Sequence, residues 1–150
     1  MVPIDTAIGF VASLPEVTAG AHYGNRTWFV GKQAIVWLRP FSKADRRRFG
    51  DAPVPTGPIF AVRTADLRHK DEVLALGLRG VFTIPHFDGH PAVLLQLDRM
   101  LLRDVKHLVT DAWLAASMPA VAVRPRRRGG AQPQRATPPT TTAGRSGARK

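Results

Sequence analysis

The sequence has no cysteine, so it can form neither disulfide bonds nor metal sites that use thiolate ligands. It is also poor in acidic residues, with 11 Asp and Glu against 22 Lys and Arg in 150 residues. Residues 1–5 lack the basic and apolar regions of a signal peptide, and no apolar run approaches the roughly 18–20 residues that a membrane span needs. These absences predict a cytoplasmic protein without a membrane partner.

The excess of positive charge is concentrated at the C-terminal end. Eight basic residues and no acidic residue lie between Arg124 and Lys150, so much of the net charge of +11 belongs to this segment. Between residues 119 and 150 the only large apolar side chains are Val121 and Val123, among Pro, Gly, Thr and Arg. Such a composition cannot bury enough apolar surface to fold. We therefore predict one domain over residues 1–118 and a disordered basic tail over residues 119–150.

Apolar periodicity predicts the elements of the domain. Expected helices begin at Asp5 or Thr6 and end before Pro15, begin after a Thr64 or Asp66 cap and end near Gly77, and run from Leu101 to Ala116. Expected strands cover residues 28–30, 33–38, 59–63, 81–86 and 92–97, with Gly31 and Lys32 forming a two-residue hairpin turn. Residues 40–58 are predicted to be a long polar loop. This order predicts an α+β fold with an antiparallel sheet of about five strands and helices packed on one face.

Several separated segments resemble one known family. Residues 14–18, 22–25, 28–32, 82–90, 97–98 and 111–113 are similar to the MmcQ/YjbR family and follow its order. The resemblance implies a CyaY-like α+β sandwich, related in fold to bacterial frataxin. It also implies DNA binding through a double-wing arrangement of β-hairpins. Compared with compact members of that family, this sequence has a longer, arginine-bearing segment between its second and third predicted strands.

Histidines form the most distinctive candidate site. His86 and His90 flank an Asp-Gly pair, but Pro85 and Pro91 exclude a regular helix that would place both rings on one face for a metal. Hydrogen bonds that fix the turn are the simpler interpretation. A second is a pocket for a small ligand or a protein, shared by these histidines with His22 and Tyr23, which lie in a predicted loop before the first strand. No metal site is assigned.

No pattern of catalytic residues is apparent. The serines are not in a nucleophile-elbow context, and there is no glycine-rich phosphate loop. We therefore assign no catalytic residue and no cofactor and expect a non-enzymatic protein. A metal-dependent enzyme remains an alternative that would need a third ligand beside His86 and His90.

Basic residues near the predicted hairpins are candidates for phosphate contacts. They are Arg26, Lys32, Arg39, Arg46, Arg47, Arg48 and Arg63, joined in the tail by Arg126, Arg127 and Arg128. Arginine and lysine contacts to phosphate carry no sequence information, and their affinity depends strongly on salt. The leading hypothesis is a largely non-specific DNA-associated protein. Solvated surface charge is the alternative interpretation for each of these residues.

Overall fold

The computed structural model describes residues 1–118, which contain six strands and four α-helices. The strands are β1 (Val17–His22), β2 (Asn25–Val30), β3 (Gln33–Leu38), β4 (Ile59–Arg63), β5 (Val81–Phe82) and β6 (Ala92–Gln96). The helices are α1 (Ile4–Ser13), α2 (Lys43–Phe49), α3 (Leu67–Ala75) and α4 (Leu102–Ser117), with short 3₁₀ helices at Pro85–Phe87 and Leu97–Arg99. The predicted α+β class is confirmed. The predicted tail lies outside the described residues.

All strand pairs in the sheet are antiparallel, in the order β1-β2-β3-β4-β6-β5. The predicted hairpin between β2 and β3 is present, and Gly31 has a φ of 61° that suits glycine at the first position of its turn. β4 and β6 lie side by side although α3 and β5 separate them in the chain. No helix within the described residues is long and apolar enough to cross a membrane.

Side chains of β4 alternate between the two faces of the sheet. Phe60 and Val62 belong to the larger core with α1, α3 and α4, whereas Ile59 and Ala61 belong to a second cluster on the other face. Phe60 is fully buried, and burial of such a side chain contributes about 1.5–3 kcal/mol. Within residues 1–118, the helical residues of the second cluster come from α2 and the 3₁₀ helix at Pro85–Phe87, which are short, and this leaves room for a cleft.

The predicted loop over residues 40–58 is wrong in part, because α2 lies within it. Ser42 and Asp45 form a capping box: the Asp45 N–H donates to Ser42 Oγ (3.1 Å), and the Ser42 N–H donates to Asp45 Oδ2 (2.9 Å). These bonds satisfy two backbone donors at the start of the helix. Phe49 at the end of α2 packs in the second cluster, so this helix covers the face opposite to α1 and α4.

Three smaller expectations are also corrected. His22 and Tyr23 were expected in a loop, but residues 17–22 form β1, so His22 ends a strand and Tyr23 and Gly24 form a hairpin turn. The strand predicted over residues 81–86 stops at Phe82, because the chain turns into the 3₁₀ helix that begins at Pro85. α1 starts at Ile4, with Pro3 as its N-cap and no hydrogen bond from a capping side chain. The predicted Asp66 cap of α3 is present, because the Asp66 side chain accepts from the His69 N–H.

Candidate ligand-binding cleft

A cleft of about 500 Å³ lies on the second face of the sheet. Its volume falls within the roughly 300–1,000 Å³ usual for small-molecule sites. Two turns that are far apart in the chain form its rims, and residues of β3, β4 and β6 form its floor. Four residues singled out from the sequence, His22, Tyr23, His86 and His90, all line it.

The first rim is the turn between β1 and β2. Tyr23 and Gly24 have φ values of 52° and 79°, which is the backbone of the tight turn that joins two twisted strands. The rings of His22 and Tyr23 meet edge to face with centroids 4.2 Å apart. Tyr23 is 91% exposed. It therefore stands at the mouth of the cleft with most of its ring in solvent.

The second rim is the turn that carries His86 and His90. Lys70 of α3 holds this turn in place through hydrogen bonds. The His90 N–H donates a hydrogen bond to the Phe87 carbonyl at 2.9 Å, and this bond closes the turn. Lys70 Nζ donates to that same carbonyl at 2.6 Å and to the His90 carbonyl at 2.9 Å. Lys70 is only 5% exposed. We interpret it as the residue that fixes this rim to α3.

Burial makes the charged form of Lys70 less favourable than it is in water. Burial lowers the pKa of the Lys70 ammonium below its usual value, and the nearby carboxylates of Asp88 and Asp71 offset part of that effect. The two carbonyls accept from the amine whether it is charged or neutral. The attachment of the rim therefore does not require a formal ion pair.

Aromatic side chains line the middle of the cleft. The rings of Trp37 and Phe87 are stacked with centroids 6.4 Å apart and planes 17° apart. The Arg39 guanidinium carbon lies 5.6 Å from the centre of the Phe87 ring. Phe87 is only 5% exposed, and its ring contacts both Trp37 and the Arg39 guanidinium, which adds a cation–π contact. The partly buried Trp37 therefore supplies most of the flat aromatic surface of the cleft.

The two arginines of the lining differ in their partners. Arg39 Nη1 pairs with the buried Asp45 carboxylate at 2.9 Å. Burial raises the pKa of Asp45, but hydrogen bonds from Ser42 and the hydrogen bond and charge of Arg39 more than offset this and hold it below its usual value. Arg63 Nε donates to the Ala34 carbonyl at 3.0 Å, and no carboxylate pairs with Arg63 among residues 1–118. Arg63 thus contributes uncompensated positive charge to the cleft.

The remaining predicted phosphate-binding residues lie elsewhere. Arg26 stands over Trp28 at 5.4 Å, and Lys32 occupies the turn at the opposite end of β2. Arg46, Arg47 and Arg48 lie on α2 and are exposed, rather than in the predicted loop, and Arg48 contacts Asp45 at 3.5 Å. Arg126, Arg127 and Arg128 lie outside the described residues. Of the predicted set, the structure brings only Arg39 and Arg63 into the same site.

Residues 1–118 contain no group of three His, Cys, Asp or Glu side chains placed to hold a metal ion. Sequence reasoning did not single out Trp37 and Phe87 of the cleft lining or Lys70 behind it. A signal for Lys70 was present, because it lies three residues before Val73 on the apolar stripe of α3 and a lysine there must find a buried acceptor.

The fold and the cleft define a small α+β protein with an open aromatic and cationic cleft. Proteins similar to it include Rv2570 and MT2646 of Mycobacterium tuberculosis and Mb2600 of Mycobacterium bovis, all described as uncharacterised. Each is 39% identical over 113 residues, which cover 73% of this chain and 84% of the relative. The chain belongs to the same family as these mycobacterial proteins. No family model and no solved structure matches it.

Proposed function

We propose that the protein is a non-enzymatic binding module that takes a small ligand in the cleft between the two turns. The observation that carries this proposal is the convergence of His22, Tyr23, His86 and His90 around a single concave surface with an aromatic floor. A ligand there would gain apolar contact with Trp37 and polar contacts from the rims. That combination of apolar surface with a few convergent polar groups is typical of small-molecule sites.

The fold also holds both rims of the cleft in position, which supports the proposal. One rim is a tight hairpin turn, and the other is tied to α3 through Lys70. Because both are held by the fold, a ligand would not have to order them on binding, and this lowers the entropic cost of association.

A fragment screen followed by two-dimensional amide NMR of the full chain tests the proposal. We expect hits to shift the signal of the Trp37 indole N–H together with those of the backbone amides of residues 22–25, 86–90 and 92. Trp37→Leu should weaken these hits, whereas Leu76→Ala, at an exposed position outside the cleft lining, should not. The proposed function would be refuted if the hits bound at many places on the surface, or if no fragment shifted the NMR signals of the cleft residues.

DNA association, with membership of the MmcQ/YjbR type, is a second proposed function. It is favoured by a surface feature of α2, where Lys43, Arg46, Arg47 and Arg48 are all exposed within seven residues. The basic composition between Arg124 and Lys150 adds charge that would attract any polyanion. In this proposal the contacts are to phosphates, so binding is largely independent of sequence.

Gel-shift assays across a salt series test the DNA proposal. The full chain, a chain ending at Met118 and an Arg46→Gln, Arg47→Gln double variant are compared on one duplex. We expect both alterations to weaken binding and to flatten its salt dependence. If only removal of residues 119–150 matters, the domain does not bind DNA. If no form binds even at low salt, the proposal is wrong.

A further inference from the structure

The charge of the cleft lining restricts the ligands that it can accept. Two arginines and three histidines lie among the lining residues, and no aspartate or glutamate does. A cationic ligand would meet uncompensated positive charge without a carboxylate to pair with. An anionic ligand would instead neutralise that charge.

Arg63 is the side chain best placed to bind an anion. Arg39 is already paired with Asp45 at 2.9 Å and also donates to the Pro40 carbonyl at 2.6 Å. The hydrogen bond from Arg63 Nε to Ala34 fixes one edge of its guanidinium and leaves the two terminal nitrogens for other acceptors. Two parallel donors of this kind match the two oxygens of a carboxylate or phosphate.

The floor beside Arg63 favours a flat ligand. Register pairs Arg63 with Ala92, next to Pro91 and His90 of the second rim, while Trp37 lies three residues beyond Ala34 along β3. Arg63 and the partly buried Trp37 line the same cleft, so the flat face of the indole is the aromatic surface that a ligand bound to Arg63 can reach. An aromatic ring packs against such a surface with more contact than a puckered ring of the same size.

Resting on the proposed function, we propose that the ligand is a planar aromatic compound that carries a carboxylate or phosphate group. The oxyanion pairs with the terminal nitrogens of Arg63, and the ring lies against Trp37. His86, His90 and Tyr23 stand at the mouth, where they contact the polar substituents of the ligand.

Matched small probes test the charge and the shape separately. Phenylacetate and phenyl phosphate are the two oxyanions, phenylacetamide is the neutral counterpart, and cyclohexylacetate keeps the charge without the flat ring. Dissociation constants come from NMR titration of the full chain, followed at the Trp37 indole N–H. We expect both neutral and non-planar probes to bind more weakly, the neutral one by about tenfold or more, since an ion-paired hydrogen bond is lost. The tighter of the two oxyanions identifies the preferred group.

A pair of variants tests the role of Arg63. Arg63→Gln should weaken phenylacetate binding about tenfold and leave phenylacetamide unchanged. Arg47→Gln removes the same charge from an exposed site outside the cleft lining and should change neither. Arg63→Lys, which keeps the charge but not the paired donors, should recover only part of the affinity. The probe comparison needs no variant, so it stands even if Arg63→Gln folds poorly.

The results of these titrations distinguish the proposed ligand class from the proposed function of the cleft. Equal binding of phenylacetamide and phenylacetate would overturn the anionic ligand class while cleft binding stands. Equal binding of cyclohexylacetate would overturn the planar class in the same way. If fragments that bind in the cleft are all neutral or cationic, the inference fails and the proposed function survives. If nothing binds in the cleft, both fail.

Discussion

The substitution Lys70→Met tests whether the buried lysine holds the histidine turn in place. Methionine approximates the length and volume of lysine, so the change removes the donor without opening a large cavity. The Phe87 carbonyl would still accept from the His90 N–H, and the His90 carbonyl from the Ala92 N–H at 2.8 Å. Neither carbonyl is left without a partner, so the loss is that of two hydrogen bonds from a buried amine.

The expected change in the free energy of unfolding is the sum of two opposing effects. Hydrogen bonds that involve a charged group contribute about 1.5–3 kcal/mol each. Removing the lysine also relieves the cost of burying its charge, which is the effect that lowers its pKa. We expect a net loss of about 2 kcal/mol in the free energy of unfolding. For a domain of this size that corresponds to a melting temperature lower by about 6–12 °C.

Urea unfolding followed by tryptophan fluorescence measures this loss, with Lys43→Met as the matched control. Lys43 is exposed and makes no side-chain hydrogen bond or ion pair within residues 1–118, so its replacement should change stability by less than about 0.5 kcal/mol. Amide hydrogen exchange at residues 86–90 and 92 should also become faster in Lys70→Met but not in Lys43→Met. If the two variants are equally stable, Lys70 does not hold the rim and our interpretation of it is wrong.

Three further substitutions test the packing of the fold by the same urea assay. Asp45→Asn should cost about 2–3 kcal/mol at neutral pH, because it breaks a capping box and a buried ion pair with Arg39. Because the pKa of Asp45 is lowered in the folded state, its contribution is present above the pKa of the unfolded chain and is lost as pH falls through the folded value. The difference between Asp45→Asn and wild type should therefore shrink in acid below about pH 4, and an equal difference at pH 7 and pH 3 would contradict this. Gly80→Ala should cost about 3 kcal/mol, since Gly80 has a φ of 90° and a Cβ there would meet the Met100 side chain and the Gln96 carbonyl oxygen at 2.9 Å. Gly9→Ala should instead stabilise by about 1 kcal/mol, because this helical position has nothing within 4 Å of an added Cβ; a loss of stability there would show a hidden contact.

Elements with short-range signals were predictable from the sequence. β4 was predicted residue for residue, and the Gly31-Lys32 turn and the Asp66 cap were also found. α2 was missed because its Ser-x-x-Asp box stands among arginines without an apolar period. β1 was missed because its side chains are small and almost all exposed, so no alternation marks it.

The sequence alone determined the class of fold, since alternating and helical periodicity reflects which face of each element is buried. It also singled out His22, Tyr23, His86 and His90, because their residue types and the turn-forming residues beside them can be read directly from the sequence. Only the tertiary structure decided that these residues share one cleft, because that depends on the pairing of β4 with β6 and on the fold of the β1–β2 hairpin. The tertiary structure also distinguished Arg39, which pairs with Asp45 of α2, from Arg63, which has no carboxylate partner among residues 1–118. Sequence separation carries no information on such contacts, and the ligand that we propose depends on them.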